Sequence, residues 1–185
     1  MLKILVTPPV TAEHKQLLEA AGGLEAEFIY KNADEVDAAL MQEVDILFGN
    51  VAPALVAEAK KLRLLQLFSA GTDGYIPALP EGCALTNTTG AFGLAISEHM
   101  LGMLLMLQKR LHQYRDNQNK HVWQDMGNVT SIEGATVVVL GLGDIGGEFA
   151  RKVKALGAYT IGVRRTDANK PEYIDELCLT QELDH

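Results

Sequence analysis

Residues 137–146, Val-Val-Val-Leu-Gly-Leu-Gly-Asp-Ile-Gly, leave this chain few folds to choose from. An apolar run rich in valine that meets Gly141, Gly143 and Gly146 in G-x-G-x-x-G spacing reads as a buried parallel strand turning into a helix. Gly141 permits the tight turn, Gly143 lets a pyrophosphate approach the backbone, and Gly146 lets the helix pack closely on the strand. The helix is expected over 144–156 and stops at Gly157, a residue suited to a helix end. Its free N–H groups and positive dipole end face the place of the phosphates. A second apolar run at 158–163 completes a β-α-β unit of about 30 residues, the context in which the motif binds a dinucleotide. Without that context, a glycine-rich turn serves packing alone.

The end of the second strand bears on which dinucleotide is bound. An NAD site places an acid about 20 residues beyond the glycines, where it accepts from the ribose hydroxyls. Eighteen positions after Gly146 (164 − 146) stands Arg164, followed by Arg165 and Thr166. Two guanidinium groups in the place of an acid suit a 2′-phosphate, so NADP(H) is expected over NAD(H). The plainer reading of these arginines is solvated charge at a strand end.

Before this unit the chain alternates strand and helix. Strands are expected at 3–6, 27–30, 45–48, 64–68 and 83–86. Helices are expected after Thr11, at 34–40, and from Pro53 to residue 60. That alternation implies a parallel sheet with helices on both faces, a flavodoxin-like α/β domain over residues 1–98. A long apolar helix at 94–114 then links it to the dinucleotide unit, which with that helix occupies 99–185. The loop Ser69-Ala70-Gly71-Thr72-Asp73-Gly74 follows the fourth strand, and ligands of open α/β sheets sit beyond the carboxyl ends of strands. Its small residues let backbone N–H groups point at an anion, though a plain turn would have the same composition.

A net charge of −8 argues against nucleic acid or an anionic membrane as partner. The most apolar helical stretch, 100–107, is too short to span a bilayer. Cys83 and Cys178 stand apart with no metal spacing, which suits free thiols in the cytoplasm, and no metal site is expected. His99, on the linking helix beside Glu98, reads as structural, and Trp123 as a core anchor for the segment returning to the dinucleotide unit.

The order of Ser-Ala-Gly-Thr-Asp, then Asn87-Thr88-Thr89-Gly90, then Ile96-Ser97-Glu98-His99, then Trp123, then Ile132-Glu133-Gly134-Ala135-Thr136 before Gly-Leu-Gly-Asp-Ile-Gly resembles the D-isomer-specific 2-hydroxyacid dehydrogenases. The resemblance spans essentially the whole chain. It implies a substrate domain, a Rossmann dinucleotide domain, and hydride transfer between NAD(P)H and a small 2-keto or 2-hydroxy acid. By the same resemblance, backbone around Ala70 and Gly71 holds the substrate carboxylate. Gly141, Gly143, Asp144 and Ile145 surround the pyrophosphate, and Arg164, Arg165 and Thr166 the adenosine ribose. The arginine in the acid's place resembles the glyoxylate and hydroxypyruvate reductase branch.

Members of that family continue past this point with an Arg that grips the keto acid and a His, oriented by a Glu, that protonates its oxygen. Here no Arg follows Arg165 and the only later His is His185. The expectation is therefore a Rossmann domain cut short, with no catalytic residue in the chain and no turnover by it alone. Only two strands of that domain are expected, with a truncated helix starting at Thr180-Gln181-Glu182. The first strand would be unpaired on one side and the second open toward a third, which predicts a homodimer through exposed sheet edges. The alternatives are a non-catalytic nucleotide-binding or assembly module, or an inactive remnant of a longer gene.

Overall fold

Short apolar runs between polar helices build the first unit. In the computed structural model, which describes residues 1–166 and 169–183, they form β1 (Leu2–Val6), β2 (Ala26–Tyr30), β3 (Ile46–Phe48), β4 (Leu64–Gln66) and β5 (Ala84–Thr86). All pairings are parallel and the order is β2-β1-β3-β4-β5, that of flavodoxin-like sheets. Parallel neighbours need crossovers. These include α1 (Ala12–Gly22), α2 (Ala38–Met41) and α3 (Pro53–Ala57). Thr11 caps α1 as the sequence suggests, its Oγ1 accepting from the His14 N–H at 3.2 Å. Leu5, Met41, Leu47, Val56 and Leu65 are fully buried in the core of this unit. Each such side chain contributes about 1.5–3 kcal/mol relative to an exposed one.

The helix expected at 34–40 is instead a 3₁₀ turn, Ala33–Glu35, followed by the single turn of α2. Val36 takes an extended conformation and enters the core, and Asp37 opens a fresh helix by accepting from the Leu40 N–H at 2.8 Å. The helix opened by Pro53 ends at Ala57 rather than at residue 60.

The chain divides into two compact units, Met1–Thr89 and Gly90–His185. The second holds α4 (Gly93–Gln108), α5 (Leu111–Asn119), β6 (Thr136–Leu140), α6 (Asp144–Ala155), β7 (Tyr159–Arg164) and β8 (Glu176–Leu179). Helix α6 buries Phe149, Ala150 and Val153 against Val139 and Ile174, with Met100, Leu101, Leu104 and Leu105 of α4 packed on the same cluster. Lys152 joins α6 to α4 by donating to the buried Ser97 Oγ at 2.8 Å. Helix α6 gives way at Gly157, whose φ of 89° few other residues adopt.

Three expectations for this unit need correction. The single helix over 94–114 is broken: Arg110 has a φ of 54°, and α5 starts anew after it. The break is fastened by the returning segment, where Asn128 O accepts from Arg110 Nε at 3.1 Å and Thr130 O from Lys109 Nζ at 2.6 Å. Trp123 is not a core anchor but fully exposed, on a groove that Leu111, Tyr114 and Val122 also line. Finally, β7 is not open on its far side, because β8 pairs with it in parallel from Ile161 to Arg164. The sheet order β6-β7-β8 matches strands 1, 2 and 3 of a doubly wound 3-2-1-4-5-6 sheet. Among the described residues strand β6 pairs with β7 alone, and Val138 and Leu140 are exposed at 57% and 73%. The residues after β8 form a 3₁₀ turn, Thr180–Glu182; His185 lies outside the described residues.

Candidate functional site

The glycine turn between β6 and α6 is built as its spacing requires. Gly141 has a φ of 98°. A Cβ on Gly146 would lie 1.8 Å from Gly141 O, so only glycine lets the first turn of α6 press against the loop. A Cβ on Gly141 or Gly143 would meet nothing within 4 Å, which leaves open space above the turn. No side chain caps α6 at Gly143, and its first-turn N–H groups are the donors a phosphate would use. These features fit a pyrophosphate.

Gly141 and Gly143 share an open depression of ≈ 800 Å³ with Arg164, Arg165 and Thr166, which leave the carboxyl end of β7, and with Thr180. The structure thus brings together five of the eight residues assigned to a dinucleotide. Asp144, Ile145 and Gly146 stand apart from the depression's lining, in the first turn of α6. The Asp144 carboxylate is turned toward α4, where a Cβ on Gly93 would lie 2.3 Å from its Oδ1.

Thr180 carries no motif, and sequence reasoning missed it because β8 was missed. Asp175 docks that strand. Its Oδ1 accepts from Lys154 Nζ at 2.5 Å, and its Oδ2 from the Thr160 N–H at 2.7 Å and Thr160 Oγ1 at 3.0 Å. The Lys154 hydrogen bond, then the Thr160 N–H, hold the Asp175 carboxyl down at about 2.

In the first unit, Ala70 and Gly71 lie exposed on the loop after β4, at the carboxyl edge of the sheet. Asn50, just beyond β3, reaches this loop: its Nδ2 donates to Ser69 Oγ at 2.9 Å and its Oδ1 accepts from the Phe68 N–H at 2.8 Å. Asn87, just beyond β5, donates from Nδ2 to Ala70 O at 2.7 Å. Gly49, with a φ of 119°, backs onto β1 so tightly that a Cβ would lie 2.1 Å from Thr7 Oγ1. His99 is exposed on α4. Among the described residues no group of three His, Cys, Asp or Glu side chains could hold a metal ion, and no helix is long and apolar enough to cross a membrane.

Residues 101–185 match the family model for the NAD binding domain of D-isomer specific 2-hydroxyacid dehydrogenase. The chain is 26% identical to D-3-phosphoglycerate dehydrogenase of Methanocaldococcus jannaschii, over 88% of its own length and 32% of that protein's. It is also 26% identical to hydroxypyruvate reductase of Thermotoga maritima, over 98% of its own length and 62% of that protein's. Among solved structures, a D-isomer specific 2-hydroxyacid dehydrogenase family protein of Aeromonas salmonicida superposes with a TM-score of 0.83 at 29% identity, covering 98% of this chain and 59% of that one. The chain therefore spans between about a third and three fifths of the length of these relatives.

Proposed function

We propose that this chain, which belongs to the D-isomer-specific 2-hydroxyacid dehydrogenase family, supplies the substrate-binding and dinucleotide-binding parts of an oxidoreductase acting on a small 2-keto or 2-hydroxy acid. The observation that carries this reading is the meeting of Gly141 and Gly143 with Arg164, Arg165 and Thr166 around one depression. The nicotinamide, when bound, supplies or accepts the hydride. The chain's own residues bind and orient: the glycine turn and the first turn of α6, with Asp144, Ile145 and Gly146, take the pyrophosphate. The two arginines and Thr166 take the ribose 2′-phosphate, which favours NADP(H) over NAD(H). Peptide N–H groups around Ala70 and Gly71 take the substrate carboxylate.

A second reading, a nucleotide-binding or assembly module without turnover, is favoured by the make-up of that depression. Among the described residues its lining has no histidine and no carboxylate to act as acid or base. In this reading the chain binds the dinucleotide without turning it over. The edge of β6 that meets no strand among the described residues would pair two copies into a homodimer, with Val138 and Leu140 exposed on the same strand. Two free thiols fit a cytoplasmic setting.

Calorimetric titration with NADPH and with NADH tests the reading. NADPH is expected to bind about tenfold or more tightly, the worth of one charge-assisted contact to the 2′-phosphate. Arg165→Ala is expected to erase the difference while NADH binding stays. Equal affinities would remove the NADP(H) assignment, and binding of neither would remove the dinucleotide site.

A further inference from the structure

The loop after β4 has a polarity that its own sequence does not set. Five successive carbonyls are engaged by the protein. Phe68 O accepts from Thr88 Oγ1 at 3.1 Å and Ser69 O from the Thr88 N–H at 3.2 Å. Ala70 O accepts from Asn87 Nδ2 at 2.7 Å, Gly71 O from Ser69 Oγ at 3.0 Å, and Thr72 O from the Tyr75 N–H at 3.0 Å. In a planar trans peptide the C=O and the following N–H point in opposite directions. Holding the carbonyls of Ser69, Ala70 and Gly71 therefore turns the N–H groups of Ala70, Gly71 and Thr72 away from the groups that hold them. Among the described residues none of these three N–H groups meets a protein acceptor. Successive N–H groups left free in this way make an anion site.

Two side chains set this arrangement, and each is itself oriented. The Phe68 N–H donates into Asn50 Oδ1, which aims the Asn50 amide nitrogen at Ser69 Oγ. With that lone pair occupied, the Ser69 hydroxyl keeps its one proton for Gly71 O. On the other side the Thr89 N–H donates into Asn87 Oδ1 at 3.3 Å, which leaves the Asn87 amide nitrogen for Ala70 O. We propose that Asn50 and Asn87 are positioning residues that fix two peptide groups of this loop so that the N–H groups of Gly71 and Thr72, beside that of Ala70, which Thr88 sets through Ser69 O, are kept for a carboxylate. The inference rests on the reading of this loop as the carboxylate site, and it adds which residues make it one.

The test is an amide-resolved titration of the full ¹⁵N-labelled chain with glyoxylate. The wild type is expected to show saturable shifts at Ala70, Gly71 and Thr72. Asn87→Asp and Asn50→Asp keep the acceptor oxygen and the shape but lose the donor. Each is expected to weaken binding about tenfold, the worth of a hydrogen bond to a charged group. The disturbance should be specific: loss of the Asn87 donor releases Ala70 O and moves the Gly71 N–H, and loss of the Asn50 donor acts through Ser69 on the Thr72 N–H. General loosening of the unit would not separate the two amides. Unchanged affinity in both variants would overturn the positioning role and leave the carboxylate site standing, and no shift in the wild-type loop would overturn both. Should a variant not fold, amide exchange of the free wild type decides. Fast exchange at Gly71 and Thr72 supports the proposal, and strong protection there, which requires those N–H groups to be turned into the protein, overturns it.

Discussion

Asp175 ties β8 to β7 and α6 with one carboxylate, and this makes the second unit sensitive to acid. Its pKa of about 2 lies below the ordinary value, so the carboxylate contributes stability that is complete above the unfolded value near 3.8 and is lost as pH falls through about 2. Asp175→Asn is therefore expected to lower the thermal midpoint at pH 7, and the gap from the wild type should close as pH is brought from 4 toward 2. A gap that stays constant across that range would mean the carboxylate charge is not what holds the strand. This contact joins positions 15 apart and has no signature in the sequence. The residues that spacing could single out are the three glycines and the arginines at a fixed distance from them, of which Gly141, Gly143, Arg164 and Arg165 line one depression. Asn50, Asn87 and Thr180 were not legible, because an amide or a hydroxyl acquires its role only when the ends of separate strands are brought side by side.

At the scale of elements, the five strands of the first sheet, β6 and α6 stand where they were expected, whereas β8, the α4–α5 break and the split of the helix expected at 34–40 were not read. The valine run of β6 and the amphipathic α6 announce themselves over five and twelve residues. By contrast β8 has four residues, Glu-Leu-Cys-Leu, too few for a period to show. The break between α4 and α5 was hidden because Lys109 and Arg110 are ordinary helix formers, and the hydrogen bonds that fasten it reach to the distant segment 128–131. Helix α5 ends on a second left-handed residue, His121, with a φ of 53°. Glycine takes that conformation without a Cβ penalty, so His121→Gly is expected to stabilise the chain by about 1 kcal/mol, read from denaturant unfolding. No gain would mean that the imidazole makes up for the strain.

On the scale of the whole molecule, the fold class was legible because both sheets repeat one rule, apolar strand then crossover, and the parallel orders follow from it. The partner of β6 was not legible, since an edge shows what it lacks and not what fills it. If two copies fill it, light scattering at micromolar concentration should give the mass of two 20.1 kDa chains. Val138→Lys, a change at an exposed position outside the depression, should give one chain with dinucleotide binding retained. A wild-type monomer would remove the dimer. The two units are also consecutive in the chain, Met1–Thr89 and then Gly90–His185, and among the described residues no strand of either sheet is drawn from the other. On the ribosome this has a consequence for timing. All five strands of the first sheet are synthesised before the first residue of the second unit, and at about 5–20 residues per second the chain gains seconds before β6 follows. Parallel pairings close slowly, and this order of synthesis gives the first sheet its interval free of competition from the apolar strands that follow.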